Sequence, residues 1–265
     1  MRKLVLIKFG GSLITDKTKP FTAKPKTIKR LCLEFTRTKR KTNKLFILGH
    51  GGGSFPHVPA TKYKTAEGII NDRSYQGIAV VQDTAAQFNR IIVDQFLKAG
   101  ENAFGLHPSS FMIAQNGEIK KSFLEPILKL LEFGMLPVVY GDVGLDLKKG
   151  CCILSSENIL NHLALKLKRK GYLIERIVLA GITDGVYDSK GKTIRKLTPE
   201  KFKKLKKEIG ASDGIDVTGG MLHKVSEAMK LAEKGIETLV INGKAEGNLK
   251  KAILGQKVKG TIIKY

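Results

Sequence analysis

Leu45-Phe46-Ile47-Leu48 is a wholly apolar run that passes straight into Gly49-His50-Gly51-Gly52-Gly53-Ser54-Phe55-Pro56-His57. A short apolar run bounded by glycines reads as a buried strand. Three consecutive glycines therefore stand at the end of a strand, between two histidines. Without Cβ atoms, successive backbone N–H groups can turn into one concavity, and a nearby histidine adds a donor whose charge changes near neutral pH. That arrangement suits an anion. A lone glycine cluster also describes many tight turns, but this one has company. Lys8-Phe9-Gly10-Gly11-Ser12 ends another apolar run and precedes Lys17, and Thr218-Gly219-Gly220-Met221 precedes Lys224. Three such turns at strand-to-helix junctions read as one polyphosphate site.

The rest of the chain repeats the alternation. Strands are expected at 3–9, 45–48, 136–140, 176–179, 237–241 and 260–264. Helices are expected at 25–41, 74–99, 125–133, 155–170 and 220–234, with a further start at Thr198-Pro199-Glu200 and a hairpin turn at Asp188-Ser189-Lys190-Gly191. Apolar strands alternating with helices predict an α/β fold with a mostly parallel sheet covered on both faces, and ligands bound beyond the carboxyl ends of the strands. No Pro/Gly/Ser-rich linker divides the 265 residues. A single domain over 1–265 is expected, with one lobe at 1–170 and one at 171–265.

Composition limits the function classes. With 42% hydrophobic residues the chain can bury a core, and no apolar run approaches the roughly 20 residues of a membrane span. The start, Met1 to Lys8, is too short an apolar stretch for a signal peptide, so a cytoplasmic setting is expected. Cys32, Cys151 and Cys152 lack the pattern of a disulfide framework or a zinc site and read as buried small hydrophobes. The net charge of +23 is spread over several lysine-rich stretches with few aromatics and no recognised nucleic-acid motif. It reads as solvated helix faces, with no specific nucleic-acid partner. A basic RNA- or membrane-binding protein is the non-enzymatic alternative.

Neither Gly-x-x-x-x-Gly-Lys-Ser/Thr nor Gly-x-Gly-x-x-Gly occurs at the glycine turns. Lys8-Phe9-Gly10-Gly11-Ser12, Gly51-Gly52-Gly53, Thr183-Asp184-Gly185-Val186-Tyr187 and Thr218-Gly219-Gly220-Met221 with Lys224 resemble, in that order, the amino acid kinase superfamily. The resemblance implies a three-layer αβα sandwich around a mostly parallel central sheet. Within the superfamily, the opening 8–17 and the loop His50 to His57 are similar to the isopentenyl phosphate kinase family, whose hallmark is the last histidine. That implies ATP-dependent phosphorylation of isopentenyl phosphate to isopentenyl diphosphate in isoprenoid biosynthesis, by a homodimer. Fosfomycin kinases share the histidine loop; they, or another small-acid or phosphate kinase of the superfamily, are the alternative.

Carried over by resemblance, Lys8, Phe9, Gly10, Gly11 and Ser12 would hold ATP phosphates, with Lys17 stabilising the transition state. Gly52 and His57 would bind the acceptor phosphate, Gly53 would lie where the two phosphates meet, and Gly150 would be a further acceptor contact. Asp184, Gly220 and Lys224 would complete the nucleotide side. The catalytic group is then Lys8, Lys17 and His57, while His50 orients the loop. Magnesium is implied by ATP chemistry, with no carboxylate pair apparent as its ligand. Pro56 stands where the family usually has glycine, and Ser155-Ser156-Glu157 where it commonly has Ser-Gly-Asp. Tyr75, Ile78, Ala79 and Gln82 are expected to wall the hydrocarbon tail.

Overall fold

The computed structural model of the chain describes residues 2–188, 190–210 and 219–265. Ser189 and Thr218, singled out above, lie outside the described residues. In chain order, β1 (Lys3–Phe9) is followed by α1 (Gly11–Ile14), α2 (Pro25–Lys39) and β2 (Leu45–His50), then α3 (His57–Lys62) and the long α4 (Arg73–Lys98). Next come β3 (Ala103–Gly105), α5 (Pro108–Phe111), β4 (Met112–Gln115), β5 (Glu118–Ser122), α6 (Glu125–Glu132) and β6 (Leu136–Tyr140). β7 (Asp142–Asp146), β8 (Gly150–Leu154), α7 (Ser156–Arg169) and β9 (Leu173–Gly181) follow. The last elements are β10 (Lys196–Leu197), α8 (Pro199–Gly210), α9 (Gly219–Ala232), β11 (Thr238–Asn242), α10 (Asn248–Leu254) and β12 (Gly260–Ile263).

Among the described residues the large sheet runs β10-β12-β11-β9-β1-β2-β6-β3. It is parallel from β11 to β3, and β12 pairs antiparallel with β11. Alternate side chains of β1 sort onto its two faces. Val5, Ile7 and Phe9 pack with Leu31 and Phe35 of α2 and Phe88 and Phe96 of α4. Leu4 and Leu6 pack with Leu160 and Leu163 of α7 and Leu131 of α6. Strands apolar on both faces are what a sheet covered by helices on both sides requires, and the mixed α/β sandwich is the expected one.

A second sheet, β5-β4-β7-β8, has no counterpart in the sequence reading. Its polar outer strand, Glu118-Ile119-Lys120-Lys121-Ser122, lacks the apolar run that betrays a buried strand. Val143 and Cys151 of this sheet pack on Val81 of α4, so β8 delivers its end, Ile153-Leu154-Ser155, beside the carboxyl ends of β1 and β2. All three cysteines are buried and free. Tyr187 and Thr193 form an antiparallel bridge around the expected turn.

Candidate active site

β1, β2 and β9 end together, and a cavity of about 500 Å³ opens beyond them. That is ample for a small ligand. Its wall comes from segments far apart in sequence: Lys8, Gly10–Ser12 and Lys17; Gly51–Gly53 and His57; Ser155–Glu157; Ile182 and Thr183; Met221 and Lys224. The first two glycine turns pack backbone against backbone. A Cβ on Gly11 would stand 2.7 Å from the Gly53 nitrogen, and one on Gly51 would stand 2.8 Å from the Gly11 nitrogen. Any side chain at either position would force the turns apart. A Cβ on Gly52 would run into the ring of Pro56, which closes over the loop and leads into α3.

Lys8, only 6% exposed, is ion-paired with Glu157, and Lys224 lies 4.0 Å from the same carboxylate oxygen. Burial pushes the Lys8 ammonium below its ordinary value, and Lys224 and Lys17 push the same way against the pull of Glu157. Burial works to raise the Glu157 carboxyl, but Lys8 and then Lys224 outweigh it and hold it below the usual range. Helix α7 begins here. Ser155 caps it by accepting a hydrogen bond from Asn158 N at 3.1 Å, leaving the first-turn N–H groups and the positive end of the helix dipole at the cavity wall. Lysine charge, side-chain-free glycine turns and a helix N-terminus together make a site for a polyanion.

His57 opens α3 with its ring exposed at the cavity. Partial burial, then the charges of Lys17 and Lys8, hold its imidazole below the ordinary value of 6.5. His50 is buried at the end of β2. Its ring nitrogens lie 3.1 Å from Asn89 Oδ1 and 3.3 Å from Gly51 O, tying α4 to the glycine loop. Burial pushes its pKa down to about 4.

Residues 3–242 match the sequence profile of the amino acid kinase family. The chain belongs to that family. An isopentenyl phosphate kinase of Methanothermobacter thermautotrophicus is 33% identical to it over 98% of each chain. One from Methanocaldococcus jannaschii is 33% identical over 99% of each. An X-ray structure of an isopentenyl phosphate kinase superposes with a TM-score of 0.82 at 30% identity, covering 98% of this chain and all of the other.

In this amino acid kinase the cavity does not gather every residue singled out above. Phe9 has its ring in the core, stacked on Phe96, and faces the loop only through its carbonyl, which accepts from Gly51 N at 2.9 Å. Asp184 lies outside the cavity, in a neighbouring groove, with its carboxylate held by Asn242 Nδ2 at 2.8 Å and Lys259 Nζ at 2.5 Å. Gly150 opens β8 at φ +79° with Ile69 packed on it, and does not line the cavity. Gly220 lies in the first turn of α9, one turn before Lys224. Of the expected tail wall, Tyr75 points to solvent and Gln82 bonds His107 at 3.1 Å. Ile78 packs behind Val81, the α4 residue that reaches the cavity. Ser156, known from the sequence only as part of the Ser155-Ser156-Glu157 departure, lines the cavity at the start of α7, buried, with its Oγ donating to Glu157 Oε2 at 3.3 Å.

Proposed function

We propose that the chain transfers the γ-phosphoryl group of ATP to the phosphate of isopentenyl phosphate, giving isopentenyl diphosphate and ADP. The place of His57 carries the choice of acceptor. It shares the cavity with Lys8 and Lys17, whose charges it feels, and with an apolar wall of Pro56, Ala60, Val81 and Ile153. A phosphate on a short branched hydrocarbon satisfies both surfaces. The relatives that match over nearly the full length support the same reading.

An oxygen of the acceptor phosphate forms the new bond to the γ-phosphorus while the bond to the bridging β,γ-oxygen breaks and ADP leaves. The attacking oxygen is already anionic, so no base need remove a proton, and catalysis reduces to positioning and charge neutralisation. In this reading Lys8, Lys224 and the Gly10–Ser12 turn hold the ATP phosphates, and Lys17 meets the charge of the transferring group. Gly52, His57 and the start of α7 hold the acceptor. Asp184 and Gly220 sit on the nucleotide side, Asp184 as a brace. The acceptor then falls to residues 1–170, and 171–265 serves the nucleotide together with the first glycine turn.

ATP brings magnesium to the site. Among the described residues no cluster of three or more His, Cys, Asp or Glu forms. The cavity's two acids are engaged, Glu157 by Lys8 and Asp142 by the N–H groups of Ser109 and Val143. A cytoplasmic homodimer completes the proposal. No described helix is long and apolar enough to cross a membrane, and β3 ends the large sheet with Phe104 exposed. An ATP-consumption screen of isopentenyl phosphate, dimethylallyl phosphate, fosfomycin, acetylglutamate, carbamate and UMP tests the assignment. The highest kcat/KM is expected on isopentenyl phosphate; turnover of fosfomycin or an amino acid instead would overturn it.

A further inference from the structure

Lys17 stands on a strap. Between β1's glycine turn and α2, Thr15 and Ala23 form an isolated antiparallel bridge. Asp16 N donates to Thr22 O at 2.9 Å, and Lys24 N donates to Ile14 O at 2.8 Å. Asp16 Oδ1 accepts from the N–H and the hydroxyl of Thr18, closing a turn around Lys17. Residues 17–21 are exposed, so core burial does not hold the tip in place.

What holds it is Ser54, at the end of the glycine loop and 5% exposed. Ser54 N donates to Thr15 Oγ1 at 3.1 Å on the outgoing limb. On the returning limb Ser54 Oγ accepts from Thr22 N at 3.1 Å and donates to Thr22 O at 3.4 Å, and Ser54 O accepts from Phe21 N at 3.2 Å. Phe21 sets its ring edge-on to Phe55, centroids 6.1 Å apart. One buried serine thus bonds both limbs of the strap and belongs to the loop that meets the acceptor.

We infer that Ser54 is a positioning residue, which fixes the Lys17 ammonium relative to the glycine loop by clamping strap 15–24 onto it. The inference rests on the kinase reading, in which Lys17 acts on the transferring phosphoryl group. Misplacing such a charge by about an ångström costs on the order of a hundredfold in rate. Losing one side-chain hydroxyl, with the main-chain bonds intact, should cost about tenfold.

The test compares the full-length wild type, Ser54→Ala, Lys17→Met and the double variant. Ser54→Ala should lower kcat by about tenfold with KM for ATP unchanged within about twofold, and should cost less than about twofold more once Lys17 is Met. An equal fold-loss in both backgrounds would show that Ser54 serves the loop and not the lysine. Amide hydrogen exchange gives a second readout that needs no substrate: residues 16–22 should exchange faster in Ser54→Ala, and unchanged protection there overturns the clamp. A wild type inactive on isopentenyl phosphate contradicts the function but leaves the exchange result decisive. If Ser54→Ala does not fold, Phe21→Ala loosens the same limb from the surface and should show the same dependence on Lys17.

Discussion

Lys8, at the end of β1, and Glu157, in the first turn of α7, are ion-paired in the wall of the cavity, and Lys224 approaches the same oxygen at 4.0 Å. One carboxylate therefore holds two ammonium groups that would otherwise repel each other. Glu157→Gln removes the charge but keeps the shape. Leaving a buried charge unpaired typically costs about 3–5 kcal/mol, so the variant should lose stability in urea. Its turnover should fall on the order of a hundredfold as the lysines move off their positions. Glu157→Asp, which keeps the charge, should stay within about tenfold of the wild type. Wild-type turnover in Glu157→Gln would assign the carboxylate to structure alone.

His57 should act on the acceptor and not on ATP. His57→Ala should raise KM for isopentenyl phosphate and lower kcat, with KM for ATP unchanged within about twofold. His57→Gln keeps a donor and should retain more activity. In the free protein burial, then the charges of Lys17 and Lys8, disfavour the protonated imidazole. Lowering the pH therefore adds a positive charge that the glutamine cannot match. The ratio of KM in His57→Gln to KM in the wild type should rise as pH falls below 6.5. The substrate's own titration cancels in that ratio, and a flat one would return His57 to a structural role.

Buried His50 should make the fold sensitive to acid. Its pKa of about 4, against the ordinary 6.5, means that the unfolded chain binds the proton more tightly. The stability it supports is present above pH 6.5 and is lost as pH falls towards 4. Between pH 7 and 5 the loss is about 2 kcal/mol from this residue. His162, also held at about 4, adds a loss of the same sign. Urea melts should therefore show a shallower pH dependence in His50→Gln than in the wild type. Equal slopes would contradict the burial argument.

The glycine turns, the lysines beside them and the main sheet were legible because each is written in local sequence. Val5, Ile7 and Phe9 alternate with Leu4 and Leu6, and all are buried because helices cover both faces of β1. The small sheet was not legible: β5 is polar and has no buried residue, and β4 pairs with the distant β7, Ile113 opposite Leu145. Gly150, named by resemblance as an acceptor contact, takes a positive φ at the start of β8 with Ile69 packed on it, which nothing local in the sequence shows. Asp184 is named by resemblance, and nothing local in the sequence shows that Asn242 and Lys259, both distant along the chain, hold its carboxylate.

Gly150→Ala separates those two readings of a glycine. Left-handed backbone and the packed Ile69 side chain should make it destabilising by about 1–3 kcal/mol, measured by urea melts. KM for isopentenyl phosphate in the folded variant should match the wild type. A selective rise in that KM would put Gly150 back beside the acceptor.

The most direct test is to watch the phosphorus atoms. Wild-type protein, ATP, magnesium and isopentenyl phosphate are mixed and followed by phosphorus NMR. The monophosphate resonance of isopentenyl phosphate should give way to the coupled pair of a diphosphate in step with the appearance of ADP, and Lys17→Met should slow both together. ADP formed with inorganic phosphate while the isopentenyl phosphate resonance stays unchanged would contradict the proposed transfer.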